Sequence, residues 1–84
     1  MIRVLYFASL RERLGCETEE LELPAGVSDI AGLLAYLRKR DVVWGEGLEA
    51  GERVLVARNQ EMAGRVTVIS DGDEVGVFPP VTGG

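Results

Sequence analysis

Ser28-Asp29-Ile30-Ala31-Gly32-Leu33-Leu34-Ala35-Tyr36-Leu37-Arg38 is the stretch on which the fold turns. Ile30, Leu33, Leu34 and Leu37 fall at i, i+3, i+4 and i+7, which on a helix of 3.6 residues per turn places four aliphatic side chains in one stripe. Ser28 precedes the stripe, and its hydroxyl can accept a hydrogen bond from a free N–H of the first turn, so it is the expected N-cap. Arg38-Lys39-Arg40 falls where the helix should end, as a complement to the negative end of the helix dipole rather than a binding patch. A single amphipathic helix cannot bury its stripe alone. It needs a sheet to cover.

The flanking sequence supplies one. Ile2, Val4 and Tyr6 alternate with Arg3, Leu5 and Phe7, the period of two expected of a strand over residues 2–7. A polar stretch from Arg11 to Thr18 with Gly15 inside it reads as the connection of a hairpin, after which Leu21 and Leu23 alternate with Glu20 and Glu22 until Pro24-Ala25-Gly26 ends the second strand. Beyond the helix, residues 41–52 are acidic and glycine-rich and read as a loop with room for a short helical turn. Val54 to Ala57 reads as a strand, Asn59-Gln60 as a tight turn, and the vicinity of Met62 as a short strand. Val66 to Ile69 is extended or irregular, Asp71-Gly72-Asp73 is a turn, and Glu74 to Phe78 is the last strand. The order of hairpin, helix and further strands predicts an α+β fold of the β-grasp (ubiquitin-like) kind, one mixed sheet covered by one main helix. The first and last strands would lie side by side and parallel at its centre, because the helix provides the long crossover that a parallel pair requires. Residues 1–78 form the expected domain and 79–84 an extended tail.

Composition removes most classes of activity. The 84 residues carry a net charge of −5, no histidine and one cysteine. An acidic chain whose one basic cluster, Arg38-Lys39-Arg40, is taken up by a helix end repels a phosphate backbone, so nucleic acid is not an expected partner. No apolar run approaches the roughly 20 residues needed to span a bilayer, so no membrane is expected either. The opening residues lack the apolar region and cleavage site of a signal peptide, which predicts a cytoplasmic protein. Without histidine there is no imidazole base, no Ser-His-Asp or Cys-His pairing and no His-based metal site. Cys16 has no neighbour to lower its pKa and reads as an inert thiol. Glu17, Glu19, Glu20 and Glu22 read as a solvated face. The body of the chain is not expected to catalyse anything by itself, nor to bind a metal or cofactor.

The end of the chain carries the chemistry. Phe78-Pro79-Pro80-Val81-Thr82-Gly83-Gly84 follows the last strand directly, and the two prolines stop the sheet and hold the chain near polyproline II geometry. Six residues at about 3.1–3.5 Å each let Gly84 reach on the order of 20 Å beyond the domain. Gly83 and Gly84 carry no side chains, so the terminal carboxyl can pass down a channel only as wide as a backbone. A bare carboxylate is a poor electrophile and must be activated to react, most simply as a mixed anhydride with AMP. A sulfur donor attacking that acyl adenylate would leave a thiocarboxylate, whose sulfur is anionic and nucleophilic in the manner of a thiolate. Read on its own, Gly-Gly is better taken as an idle, frayed terminus.

The opening Ile2-Arg3-Val4-Leu5-Tyr6-Phe7-Ala8 with Leu10-Arg11-Glu12, and above all Asp71-Gly72-Asp73-Glu74-Val75 running into Phe78-Pro79-Pro80-Val81-Thr82-Gly83-Gly84, resemble the family of small subunits of molybdopterin synthase. The match spans almost the whole chain. It implies that Gly84 is charged by an ATP-dependent adenylating enzyme, converted to a thiocarboxylate, and inserted with Gly83 into the active site of a large synthase subunit. The complex would be a heterotetramer of two small and two large subunits, in which two sulfurs pass to cyclic pyranopterin monophosphate to form the dithiolene that later holds molybdenum. The resemblance also makes Phe7, Met62 and Phe78 partner contacts, and Pro79, Pro80, Val81 and Thr82 the approach to the reactive end. The sequence departs from the family pattern at 41–52 and at Met62, where an aliphatic residue is expected.

The residues give the docking surface separate support. If Ile2, Val4, Tyr6, Val75 and Val77 face the helix, then Leu5, Phe7 and Phe78 point to the open side of the sheet, where clustered apolar side chains mark an interface. Arg11 would add a polar contact at its rim. Three other readings compete: a sulfur carrier of thiazole (thiamine) synthesis, a ubiquitin-like modifier of target lysines, and a plain binding domain with an idle tail.

Overall fold

A computed structural model describes residues 1–40 and 54–79, and the expected loop at 41–52 and the tail from Pro80 to Gly84 lie outside the described residues. The described elements are β1 (Ile2–Tyr6), α1 (Ala8–Leu14), β2 (Thr18–Leu21), α2 (Ile30–Arg38), β3 (Leu55–Arg58), β4 (Glu61–Ala63) and β5 (Glu74–Phe78). The strands form a single sheet in the order β2-β1-β5-β3-β4. β1 and β5 run parallel at its centre, with Val4 opposite Val75 and Tyr6 opposite Val77, and the remaining pairs are antiparallel. This is the expected β-grasp arrangement, with α2 supplying the crossover.

Helix α2 buries the stripe that defined it: Ile30, Leu33, Leu34 and Leu37 are all inaccessible or nearly so. They pack with Ile2, Val4 and Tyr6 of β1, Val56 of β3 and Val75 and Val77 of β5. The N-cap, however, is Asp29 rather than Ser28. Asp29 is extended, its carbonyl accepts the first helical bond from Leu33 N–H at 3.0 Å, and its side chain accepts from Gly32 N–H at 2.8 Å. Asp29 also bridges to Val68, and Ile69 N–H bonds the Ser28 carbonyl, so the strand-like path through residue 29 delays the helix by one residue.

The hairpin connection is a second correction. Residues 8–14 form a short helix in place of an irregular polar link, and strand β1 stops at Tyr6, one residue before the expected end. Leu10 and Leu14, four residues apart, turn inward and join the core. Gly15, at φ 66°, ends the helix in the left-handed region where a Cβ is costly. The spacing of two leucines and the following glycine was a readable signal, masked by the charged residues around them. β2 spans Thr18–Leu21, so Leu23 falls past its end but still packs half-buried against the core. β3 begins at Leu55, one residue later than expected, with buried Val54 just before it. Asn59 and Gln60 both take positive φ, 49° and 70°, as a two-residue hairpin turn between paired Arg58 and Glu61 requires.

Two charged groups are less exposed than the sequence led one to expect. Because Val4 faces the core and pairs with Glu19, the Glu19 side chain points inward at the sheet edge. There it accepts hydrogen bonds from the Tyr6 hydroxyl at 2.9 Å and from both terminal nitrogens of Arg40 at 2.8 and 3.1 Å. Glu19 is therefore a structural anchor and not part of a solvated face. Arg40, whose guanidinium carbon also lies 5.8 Å from the Tyr36 ring centroid, ties the end of α2 to β2 and does more than complement the helix dipole, a role left to Arg38. Burial, followed by the hydrogen bond to Glu19, raises the Tyr6 pKa far above its ordinary value.

Candidate functional site

The face of the sheet opposite α2 is set by register. Leu5 of β1 stands opposite Gly76 of β5, Gly76 opposite Ala57 of β3, and Ala57 opposite Met62 of β4, giving one apolar row across four strands. Phe78 and Leu55 form the next pair along the same face. Phe7, directly after β1, donates its N–H to the Val77 carbonyl at 3.2 Å and lays its ring against that of Phe78. The two rings are parallel within 5° with centroids 4.5 Å apart, a stacked geometry favourable for aromatic pairs.

The expected Leu5, Phe7, Met62 and Phe78 are thus brought together on one surface. Met62 is 66 % exposed and Leu55 38 %, high values for side chains of this size. Leu5, Phe7 and Phe78 are half-buried. Pro79, also half-buried, follows Phe78 and begins the exit of the chain from the sheet; Pro80, Val81, Thr82, Gly83 and Gly84 lie outside the described residues. Arg11 sits on α1, exposed and 3.7 Å from Glu17, an ion pair of little energetic weight. Leu55, Ala57 and Gly76 belong to the face and were not singled out from sequence. Strand alternation would have found them once β3 was paired with β5.

No titratable side chain interrupts the row from Leu5 to Met62. Charges begin at its edge, where Arg3 approaches Glu20 at 3.9 Å and a shallow depression of about 440 Å³ is lined by Arg3, Leu5, Glu17, Thr18, Glu19 and Glu20. An apolar centre with a polar rim is the anatomy of a protein interface. Among the described residues no three His, Cys, Asp or Glu side chains converge as metal ligands. Cys16 donates to the Thr18 carbonyl at 3.6 Å, and burial together with the Glu19 charge raises its pKa, which disfavours the reactive thiolate. Nor is any helix among the described residues long and apolar enough to cross a membrane.

The end of β5 away from the tail is pinned by side-chain hydrogen bonds. Asp73, at the start of β5, accepts hydrogen bonds from Ser70 N–H at 2.8 Å, Arg58 Nε at 2.9 Å and Asn59 Nδ2 at 3.1 Å. Asn59 completes the tie, its Oδ1 accepting from Glu74 N–H at 3.0 Å. The Ser70 backbone donor, with further help from Asn59 and Arg58, holds the Asp73 carboxyl below its ordinary pKa.

The ThiS family model matches residues 4–84. The molybdopterin synthase sulfur carrier subunit of Escherichia coli strain K12 is 39 % identical over 84 residues, covering 100 % of both chains. Among solved structures, SAMP1 of Haloferax volcanii superposes with a TM-score of 0.72 at 28 % identity, over 99 % of this chain and 98 % of that one. A protein-protein complex of subunits 1 and 2 of the molybdopterin-converting factor from Helicobacter pylori 26695 contains a chain that matches with a TM-score of 0.64 at 27 % identity, over 99 % of this chain and 97 % of its own. By full-length sequence and by fold, the chain belongs to the ThiS family and, within it, to the molybdopterin synthase sulfur carrier subunits.

Proposed function

We propose that this chain carries sulfur as a thiocarboxylate on Gly84 and delivers it, docked through the open face of its sheet, to the large subunit of a molybdopterin synthase in the cytoplasm. The full-length 39 % identity to a sulfur carrier subunit is the observation that carries the reading, and the sequence Phe78-Pro79-Pro80-Val81-Thr82-Gly83-Gly84 agrees with it. A Gly84 carboxylate oxygen attacks the α-phosphorus of ATP on an adenylating enzyme, releasing pyrophosphate and leaving an acyl adenylate. A sulfur donor then attacks the acyl carbon, AMP departs, and the carboxyl has exchanged one oxygen for sulfur. The domain performs none of these bond changes. It supplies recognition and reach.

The large subunit would cover Leu5, Phe7, Leu55, Met62 and Phe78, with Arg11 at the rim. Pro79 to Thr82 would lead Gly83 and Gly84 into its active site, where two charged tails supply the two sulfurs of the dithiolene made from cyclic pyranopterin monophosphate. A heterotetramer of two small and two large subunits provides both tails. The complex of two subunits containing the Helicobacter pylori relative supports a partner of this kind.

Incubation with an adenylating enzyme, ATP and a sulfide source tests the proposal by intact mass. An increment of one sulfur-for-oxygen exchange, localised to Gly84 by fragmentation, is the expected result. Ladders of protein adducts with no sulfur gain would instead favour a modifier, the role named for the archaeal relative.

A further inference from the structure

Gly76 occupies the middle of β5, the central strand of the sheet, where a missing side chain forfeits packing and weakens the strand. Its backbone does not demand glycine. The described glycines with positive φ are Gly15, Gly26 and Gly72, so a side chain could be carried at Gly76 without backbone strain. The reason for the glycine lies above the sheet. A Cβ at this position would stand 3.2 Å from Cε2 of Phe7 and 3.4 and 3.6 Å from Cε1 and Cζ of Phe78. Both rings of the stack therefore rest over the space that the glycine leaves empty. Phe7 is held from its own side as well, by its N–H bond to Val77 and by the turn at Ala8, whose φ of 53° swings the chain sharply into α1.

We infer, resting on the function proposed above, that Gly76 is a positioning residue for sulfur delivery: its missing Cβ lets Phe7 and Phe78 lie flat as one plate, and the plate fixes the direction in which the chain leaves the sheet at Pro79. Gly76 touches neither sulfur nor acceptor. It acts through Phe78, the residue to which the tail is attached. A one-carbon side chain asks the ring edges to give by a few tenths of an ångström, whereas a branched one occupies their place.

The test compares wild type, Gly76→Ala and Gly76→Val, each thiocarboxylated, by four readouts: ring-to-ring NOEs between Phe7 and Phe78, thermal unfolding, the dissociation constant for the large subunit, and the single-turnover rate of sulfur transfer at saturating large subunit. Displacement of a reactive end by less than its own width costs orders of magnitude in rate, so Gly76→Val should lose the NOEs and slow saturated transfer at least about tenfold, and Gly76→Ala about two- to threefold. A purely structural glycine would lower the unfolding temperature while the folded fraction kept the wild-type saturated rate, and that result overturns the inference, as does persistence of the NOEs in Gly76→Val. If Gly76→Val does not fold, Gly76→Ala and Gly76→Ser carry the same comparison. Wild-type thiocarboxylate that binds the large subunit but transfers nothing would defeat the function proposal instead. The affinities then decide: a graded loss with side-chain size upholds the plate, and equal affinities for all three overturn it.

Discussion

The two faces of the sheet are made from the same strands and nearly the same kinds of residue, yet they end in opposite conditions. On one, Val4, Val56, Val75 and Val77 vanish beneath α2. On the other, Leu55 and Met62 stand in solvent beside a stacked aromatic pair, and the residues between them are the smallest available, Gly76 and Ala57. A chain short of core would gain stability by covering both faces. Leaving one apolar and open points to a partner that covers it, so stability and function are divided between faces that alternate along each strand.

The division is broken most forcefully from the covered side. Leu37→Ala removes a side chain with no exposed surface, and should lower stability by about 2–5 kcal/mol in chemical denaturation while leaving affinity of the folded protein for the large subunit unchanged. Phe78→Ala should show the reverse emphasis. It removes half of the aromatic stack from the centre of the open face, and a binding loss of about 2 kcal/mol is expected by calorimetric titration, with a smaller fall in unfolding temperature. Equal effects of both substitutions on binding would erase the distinction between the faces.

A third contrast uses pH. The Asp73 carboxyl is more acidic in the fold than in the unfolded chain, so the fold favours its charged form. The stabilisation this brings is complete above the unfolded carboxylate value of about 3.9 and disappears as pH falls through the lower folded value. Asp73→Asn should therefore cost about 1–2 kcal/mol near neutrality, by weakening charge-assisted bonds to Arg58, Asn59 and Ser70, and should flatten the acid limb of the stability curve. The smallest effect is expected at the β3–β4 turn. Gln60 holds φ at 70°, and Gln60→Gly should raise stability by about 0.5–1 kcal/mol without altering binding, as thermal unfolding can verify.

These residues also show how far the sequence could be read. The stripe of α2 and the alternation of β1 and β5 were legible because burial on one side imposes a period, and the period survives in the residue types. Phe7 and Phe78 were legible as open-face residues for the same reason. α1 was hidden because only Leu10 and Leu14 of its seven residues face inward, too few to stand out from a polar background. Glu19 was misread because its inward direction depends on pairing with Val4, and its partner Arg40 arrives from 21 residues away. Gly76 was silent for a similar reason: what it accommodates, the ring of Phe7 just past β1 beside the ring of Phe78 on β5, exists only once the parallel pair has formed.

If the domain is a carrier and Gly84 its reactive end, removing that one residue abolishes sulfur transfer and leaves the fold intact. Product formation from cyclic pyranopterin monophosphate should be measured with the large subunit and either the complete thiocarboxylated chain or a chain lacking Gly84 taken through the same activation. Dithiolene product is expected from the first and none from the second, with superimposable thermal unfolding of the two proteins. Undiminished product from the shortened chain, or a large loss of its stability, would contradict it.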